Sequence, residues 1–159
     1  MRPKVPGVLD EEYESLYNDL KNAANTQGYV GDAAKDAFRL LQPHYQKDHE
    51  FALPPLKLIA TIANENINEQ VHYLQTMSGR VKRDLAQLKT EIDGIIKALD
   101  HLASVALRED KREHHTLARN MTRFLRNEIE ILYPASILIG EIIALRIEQG
   151  ARKKIEMVT

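Results

Sequence analysis

The fold of this chain turns on residues 40–59, LLQPHYQKDHEFALPPLKLI. Leu41, His44 and Asp48 recur at helical spacing, and they continue an apolar face begun by Ala34, Ala37 and Phe38. Residues three and four apart share one helix face, so an imidazole and a carboxylate extend a stripe that is otherwise hydrocarbon. The spacing predicts a helix over Asp32–Leu53, with Asp32 placed to cap it and Pro54 and Pro55 ending or kinking it.

The same helical period runs outward in both directions. A helix near Asp10–Ala24 carries Tyr13, Leu16, Tyr17 and Leu20 on one face. A longer one, Val71–Ala106, places Val81, Leu85, Leu88, Ile92, Ile95, Leu99 and Leu102 together, with Gly79 as a potential interruption. A fourth begins near His114, presents Leu117, Met121, Phe124 and Leu125, continues into Glu128 and is kinked by Pro134. No alternating Val/Ile/Thr run reads as a strand.

These helices repeat as pairs. A shift of 80 positions lays His44 on Phe124, Asp48 on Glu128, Glu50 on Glu130, Phe51 on Ile131, Leu53 on Tyr133, Pro54 on Pro134 and Ile59 on Ile139. A shift of 79 lays Leu9 on Leu88, Tyr13 on Ile92, Leu16 on Ile95, Tyr17 on Ile96 and Leu20 on Leu99. One helix pair cannot bury its own apolar face, so two must pack together. The expected fold is all-α: an up-and-down four-helix bundle of two pseudo-repeated pairs. It forms a single domain over residues 1–159, with an N-terminal arm at 1–8 and a C-terminal tail at 146–159.

Composition narrows the function classes. With 22 basic and 23 acidic side chains, the chain lacks the basic excess of a nucleic-acid binder. It has no cysteine, which removes disulfides, thiol catalysis and thiolate metal sites. The first residues hold no apolar stretch of the secretory kind. The apolar run Ile129–Leu145 is broken by Glu130, Pro134, Gly140 and Glu141, short of the ~20 clean residues of a membrane span. A cytoplasmic protein without a membrane partner is the expectation. No Gly-rich phosphate loop or nucleophile elbow supports a hydrolase or transferase, and the sequence leans away from an enzyme while leaving the question open.

His44, Asp48 and Glu128 are therefore three ionisable groups aimed into one interior. Burying such groups costs several kcal/mol unless they are paired or coordinated. Three arrangements answer that cost. One is a hydrogen-bonded cluster closed by Tyr13 or Tyr17. A second is a single-metal site of one nitrogen and two carboxylates, and the third is a site for proton transfer or a small ligand.

The segments LLQPHYQKDHEFALPPLKLI and FLRNEIEILYPASILIG (124–140) resemble the two halves of the hemerythrin-like, or HHE cation-binding, family. There each half carries a His-x-x-x-Glu motif followed by a carboxylate-rich, proline-containing apolar segment. TEIDGIIKAL (90–99) is similar to the family's helix with a further histidine just after a glutamate. The resemblance covers about residues 8–145. It implies a four-helix bundle, which in the family commonly holds a di-iron centre bound by several histidines and bridging carboxylates, for oxygen binding, sensing or iron chemistry.

Carried over position by position, the first motif survives as His44 and Asp48, and the second only as Glu128, because Phe124 occupies its histidine position. On the third helix the histidine position holds Ile92, after Glu91, and on the first it holds Tyr13. Transition metals in such bundles need imidazole as well as carboxylate, so a full di-iron site is not expected. The resemblance then implies a degenerate metal site in a binding, regulatory or assembly module without cofactor, served by a protein partner or small ligand. The alternative is a reduced or mononuclear centre, with His44, Asp48 and Glu128 holding iron or another divalent transition metal for oxygen, nitric-oxide or redox sensing or iron chemistry.

The remaining features read as ordinary surface. His49, His72, His101, His114 and His115 are expected to face solvent, and Glu50 and Glu130 to cap or pair locally. The run Ile137–Leu145 is expected to extend the core, or else to form the seam of a homodimer.

Overall fold

The computed structural model describes residues 5–58 and 69–158. Among them there is no strand. Helix α1 spans Gly7–Ala24 and α2 spans Tyr29–Lys47. A wide turn of π-helix over Asp48–Ala52 extends α2, and a 3₁₀ turn, Pro54–Leu58, follows it. Helix α3 is Glu69–Arg108 and α4 is Arg112–Asn127. A second π turn, Glu128–Leu132, joins α4 to α5, Tyr133–Val158. The Ile59 match of the repeat and Pro3 of the arm lie outside the described residues.

Four helical rods result, running alternately up and down. Asp10 of α1 meets His49 beyond α2, Glu91 of α3 meets His44 and Lys47 of α2, Asp100 of α3 meets Arg119 of α4, and Lys82 meets Glu141 of α5. Contacts between neighbouring rods run in opposite chain order: His44 meets Glu91 while the later Glu50 meets the earlier Arg80, and Arg119 meets Asp100 while the later Glu141 meets the earlier Lys82. The expected stripes form the core: Tyr13, Leu20, Ala34, Ala37, Leu41, Leu88, Ile92, Ile95, Leu99, Leu102, Met121 and Leu125 are buried. Helix α3 has 40 residues, about 60 Å at the helical rise, against 18 in α1. Its C-terminal half packs on α2 and α4, while its N-terminal half lies along α5.

The two prolines act as the sequence predicts, by a specific device. Pro54 has no N–H, and in an unbroken α-helix its ring would strike the carbonyl four residues back, on Glu50. One residue is looped out instead, and the Leu53 N–H bonds to the Asp48 carbonyl, five residues back, at 3.0 Å. In the second half Tyr133, just before Pro134, makes the equivalent bond to the Glu128 carbonyl. Both π turns begin on the carboxylate that the repeat aligns.

Several boundaries differ from expectation. Helix α2 begins at Tyr29, three residues before Asp32; Gly28, at φ 93°, sits at its cap, a conformation that glycine tolerates without strain. Gly79 does not break α3. The N-terminal arm is shorter than expected, since α1 starts at Gly7 and Val5 is buried. The C-terminal tail is helical to Val158. Of the Ile137–Leu145 run, Ile139 and Ile143 are core while Leu138 and Leu145 are exposed, so it serves the core on one face only. Helices α3 and α5 come close together where Gly140 faces Ser78: a Cβ on Gly140 would lie 2.1 Å from Ser78 Oγ.

Candidate metal centre

Within the bundle the two π turns bring Asp48 and Glu128 face to face, and α2 supplies His44 one turn earlier. All three are at most 1% exposed. One ligand-type atom from each lies within 4.8 Å of the other two. His44 Nε2 is 3.3 Å from Asp48 Oδ2 and 3.8 Å from Glu128 Oε1. The convergence expected from helical spacing is therefore present.

Two tyrosines close the cluster. The Tyr13 hydroxyl donates to Asp48 Oδ2 and the Tyr133 hydroxyl to Asp48 Oδ1, each at 2.6 Å. The same Tyr133 oxygen stands 3.0 Å from His44 Nε2. Tyr17, the other expected partner, instead stacks on Tyr45 at 4.0 Å between ring centroids. Tyr45 in turn packs edge-on against Tyr13 at 4.7 Å, fixing that ring from outside.

The second imidazole nitrogen faces outward. His44 Nδ1–H donates to Glu91 Oε2 at 3.0 Å, and Lys47 pairs with the other Glu91 oxygen. Partial burial works against the Glu91 charge, but the His44 and Lys47 hydrogen bonds overcome it and hold the carboxyl below its ordinary range. Glu91 is thus an ionised acceptor at Nδ1, and it turns Nε2 toward the two buried carboxyls. Carboxylate–histidine pairs of this kind orient metal-binding imidazoles.

Glu128 is the exception in an otherwise bonded cluster. Neither of its oxygens has a hydrogen-bond partner among the described residues. Burial pushes its carboxyl up to about 7, although the hydrogen-bonding groups of Asp48, Tyr133 and Tyr13 stand close enough to hold it lower than burial alone would. Burial and the Glu128 charge likewise push Asp48 well above its usual range, while His44 and the Tyr13 hydroxyl pull it back. Burial and the neighbouring carboxyls also raise both tyrosines. A proton or a cation must compensate two carboxyls held in so dry a space. An orphaned carboxyl opposite an inward-facing imidazole fits a metal ion.

The positions at which the resemblance expects further histidines are filled with hydrocarbon or phenol. Ile92 is fully buried and Phe124 is 3% exposed, its ring 4.4 Å from that of Tyr13. Both point inward, as the position-by-position carry-over requires.

The other histidines need two corrections. His49 is half-buried, not solvated: it bonds to the Tyr45 carbonyl at 2.9 Å and to Asp10 at 2.8 Å, because the π turn rotates it toward α1. His114 and His115 are half-buried as well, and His114 Nδ1 is buried without a partner among the described residues. His72 and His101 are exposed as expected. Glu50 pairs across helices with Arg80 at 3.2 Å, not locally.

Two members of the buried cluster and its edge are not singled out by the sequence. Tyr133 appeared only as the counterpart of Leu53, although a tyrosine where the other half has leucine is a signal that a buried hydroxyl needs a partner. Glu91 appeared only as the neighbour of Ile92; its pairing with His44 spans 47 residues. Among the described residues, no helix is long and apolar enough to cross a membrane. Compared with known proteins, the chain matches no family model, no curated protein and no solved structure.

Proposed function

We propose that this chain is a hemerythrin-like bundle whose reduced centre holds one transition-metal ion between His44, Asp48 and Glu128, and that it serves as a metal-dependent sensing or regulatory module. The observation that carries the reading is Glu128, a fully buried carboxyl with two unpartnered oxygens beside an imidazole that Glu91 aims at it. A cation at that point would supply the charge the cluster lacks, and one imidazole among oxygen ligands suits iron or manganese better than copper. The matched π turns and the inward positions of Ile92 and Phe124 support the hemerythrin-like type. With hydrocarbon at those positions, a second ion has no imidazole, which argues against oxygen carriage by a metal pair.

The protein's own groups would each take a part. His44, Asp48 and Glu128 bind; Glu91 fixes the imidazole; Tyr13 orients the Asp48 carboxylate; Phe124 and Ile92 keep water out. The ion would contribute Lewis acidity and redox chemistry.

A second reading, a metal-free binding or assembly module, is favoured by Asp48, both of whose oxygens already accept hydrogen bonds from tyrosine. Elemental analysis of protein purified without chelators separates the two. The proposal expects about one transition metal per chain in the native protein and little in His44→Ala. Metal-free native protein that also takes up none on titration would leave the second reading.

A further inference from the structure

Helix α5 carries a second apolar stripe on the side away from the core. Ser136, Ile139, Gly140 and Ile143 are buried against the bundle. Ile131, at the end of the second π turn, and Leu138 and Leu145 of α5 recur every seven residues, and each is more than half exposed. Ala135 and Ile142, both half-buried, fall between them, so the spacing alternates between four and three residues from Ile131 to Leu145. That alternation is the seam of a two-stranded coiled coil, with Ala135 and Ile142 at its a positions and Ile131, Leu138 and Leu145 at its d positions. Polar residues, Gln149 and Arg152, take the next a and d positions. From Glu148 to Val158 the helix is exposed on every side. A helical segment without tertiary packing is marginal in water, and a helix laid along the same seam would support it.

The charges beside the seam say what covers it. Glu141 and Glu148 lie along one edge, and Arg146 and Lys153 lie along the other. When two such helices pair in parallel, each edge meets the opposite edge of the partner. Glu141 then faces the partner's Arg146, and Glu148 faces the partner's Lys153, each five residues further on. When they pair antiparallel, like edges meet, and acid faces acid. Within one chain Lys82 holds Glu141 and Arg152 holds Glu148, both in exposed pairs. Pairs of that kind are worth little in water and do not oppose a rearrangement. The face is thus complementary to itself, in one orientation, as a two-fold interface requires.

We propose that this face of α5 is the interface of a homodimer, in which two copies of the helix pair in parallel with Leu138, Ile142 and Leu145 as anchors. The buried cluster of each copy stays within its own bundle, so the dimer does not depend on the metal reading.

The test is analytical ultracentrifugation over a concentration series, with the native chain, Leu138→Lys/Leu145→Lys, Glu148→Lys and Glu148→Lys/Lys153→Glu. The native chain should show a reversible monomer–dimer equilibrium. Leu138→Lys/Leu145→Lys should weaken it by about 100-fold or more while circular dichroism stays helical, since both leucines are exposed in the single chain. Glu148→Lys sets lysine against lysine and should weaken the dimer about fivefold to tenfold at low salt. Exchanging both charges in Glu148→Lys/Lys153→Glu should restore it. A native chain that stays monomeric up to about 1 mM, or a dimer indifferent to the two leucine substitutions, overturns the interface. Tighter association in Glu148→Lys overturns the parallel order. The chain has no cysteine, so Leu145→Cys provides a single thiol. Oxidation should join two copies through it, which decides the question even if the lysine variants do not fold; absence of that link overturns the proposal.

Discussion

Tyr133 and Asp48 are hydrogen-bonded at 2.6 Å although they are 85 residues apart, and each belongs to one half of the repeat. Asp48 opens the first π turn, and Tyr133 directly follows the second. The bond thus fastens the two helix pairs together at the point where each rod is distorted by its proline. A π turn re-aims the residues around it by looping out one residue, which is how two continuous helical stripes come to present carboxyls to each other.

Removing that bond should loosen the whole bundle. Tyr133→Phe leaves Asp48 short of a donor and is expected to destabilise metal-free protein by about 1–3 kcal/mol in denaturant unfolding. Tyr13→Phe should cost a similar amount, since its hydroxyl serves the other Asp48 oxygen at the same distance. The double variant should cost less than the sum, because both hydroxyls stabilise one carboxylate.

Metal-free protein should be more stable in mild acid than in mild alkali. Burial raises the Glu128 carboxyl from its ordinary 4.5 to about 7, so the native state holds that proton more tightly than the unfolded chain does. Its contribution is full below about pH 4.5, declines as pH rises and is gone above about pH 7, for a loss of about 3 kcal/mol. Asp48 shifts in the same direction. Chemical unfolding with a chelator present, at pH values spanning 5 to 8, measures the slope. Glu128→Gln should flatten it and raise stability above neutrality; a slope unchanged in that variant would show that Glu128 is not its source.

Glu91 acts on the site from the bundle's edge, where it is about a quarter exposed. Glu91→Gln should preserve the fold while lowering metal affinity about 10- to 100-fold, because the imidazole loses the charged partner that orients it. A competition titration reads this directly. Unchanged affinity would mean that packing alone fixes the ring.

The helix stripes, the repeat and the inward direction of His44, Asp48 and Glu128 were legible from spacing, since a buried stripe leaves a 3.6-residue period whatever its neighbours are. Other features were not. Asp32 looked like a cap, but the chain turns at Gly28, whose positive φ starts α2 a turn earlier. His49 follows Asp48 and so should have pointed outward, yet the π turn brings it onto Asp10. The Glu91–His44 and Tyr133–Asp48 contacts join distant parts of the chain, and no local pattern encodes them. Proline positions announced a distortion without revealing that it would be a π turn.

The close crossing of α3 and α5 offers a test away from the site. Gly140→Ala would put its methyl within 2.5 Å of both Ser78 Cβ and Oγ, so the helices must part. A loss of about 1–3 kcal/mol is expected in thermal or denaturant unfolding, with metal binding retained. Loss of metal together with stability would mean that the centre depends on this crossing.

The central claim is that one ion sits between the two π turns. Anomalous diffraction from crystals of iron-loaded protein, collected at the iron edge, locates that ion directly. A single strong peak bonded to His44 Nε2 and to the Asp48 and Glu128 carboxylates is the expected result. Interior density without such a peak, with iron only at the surface or absent, would contradict the account.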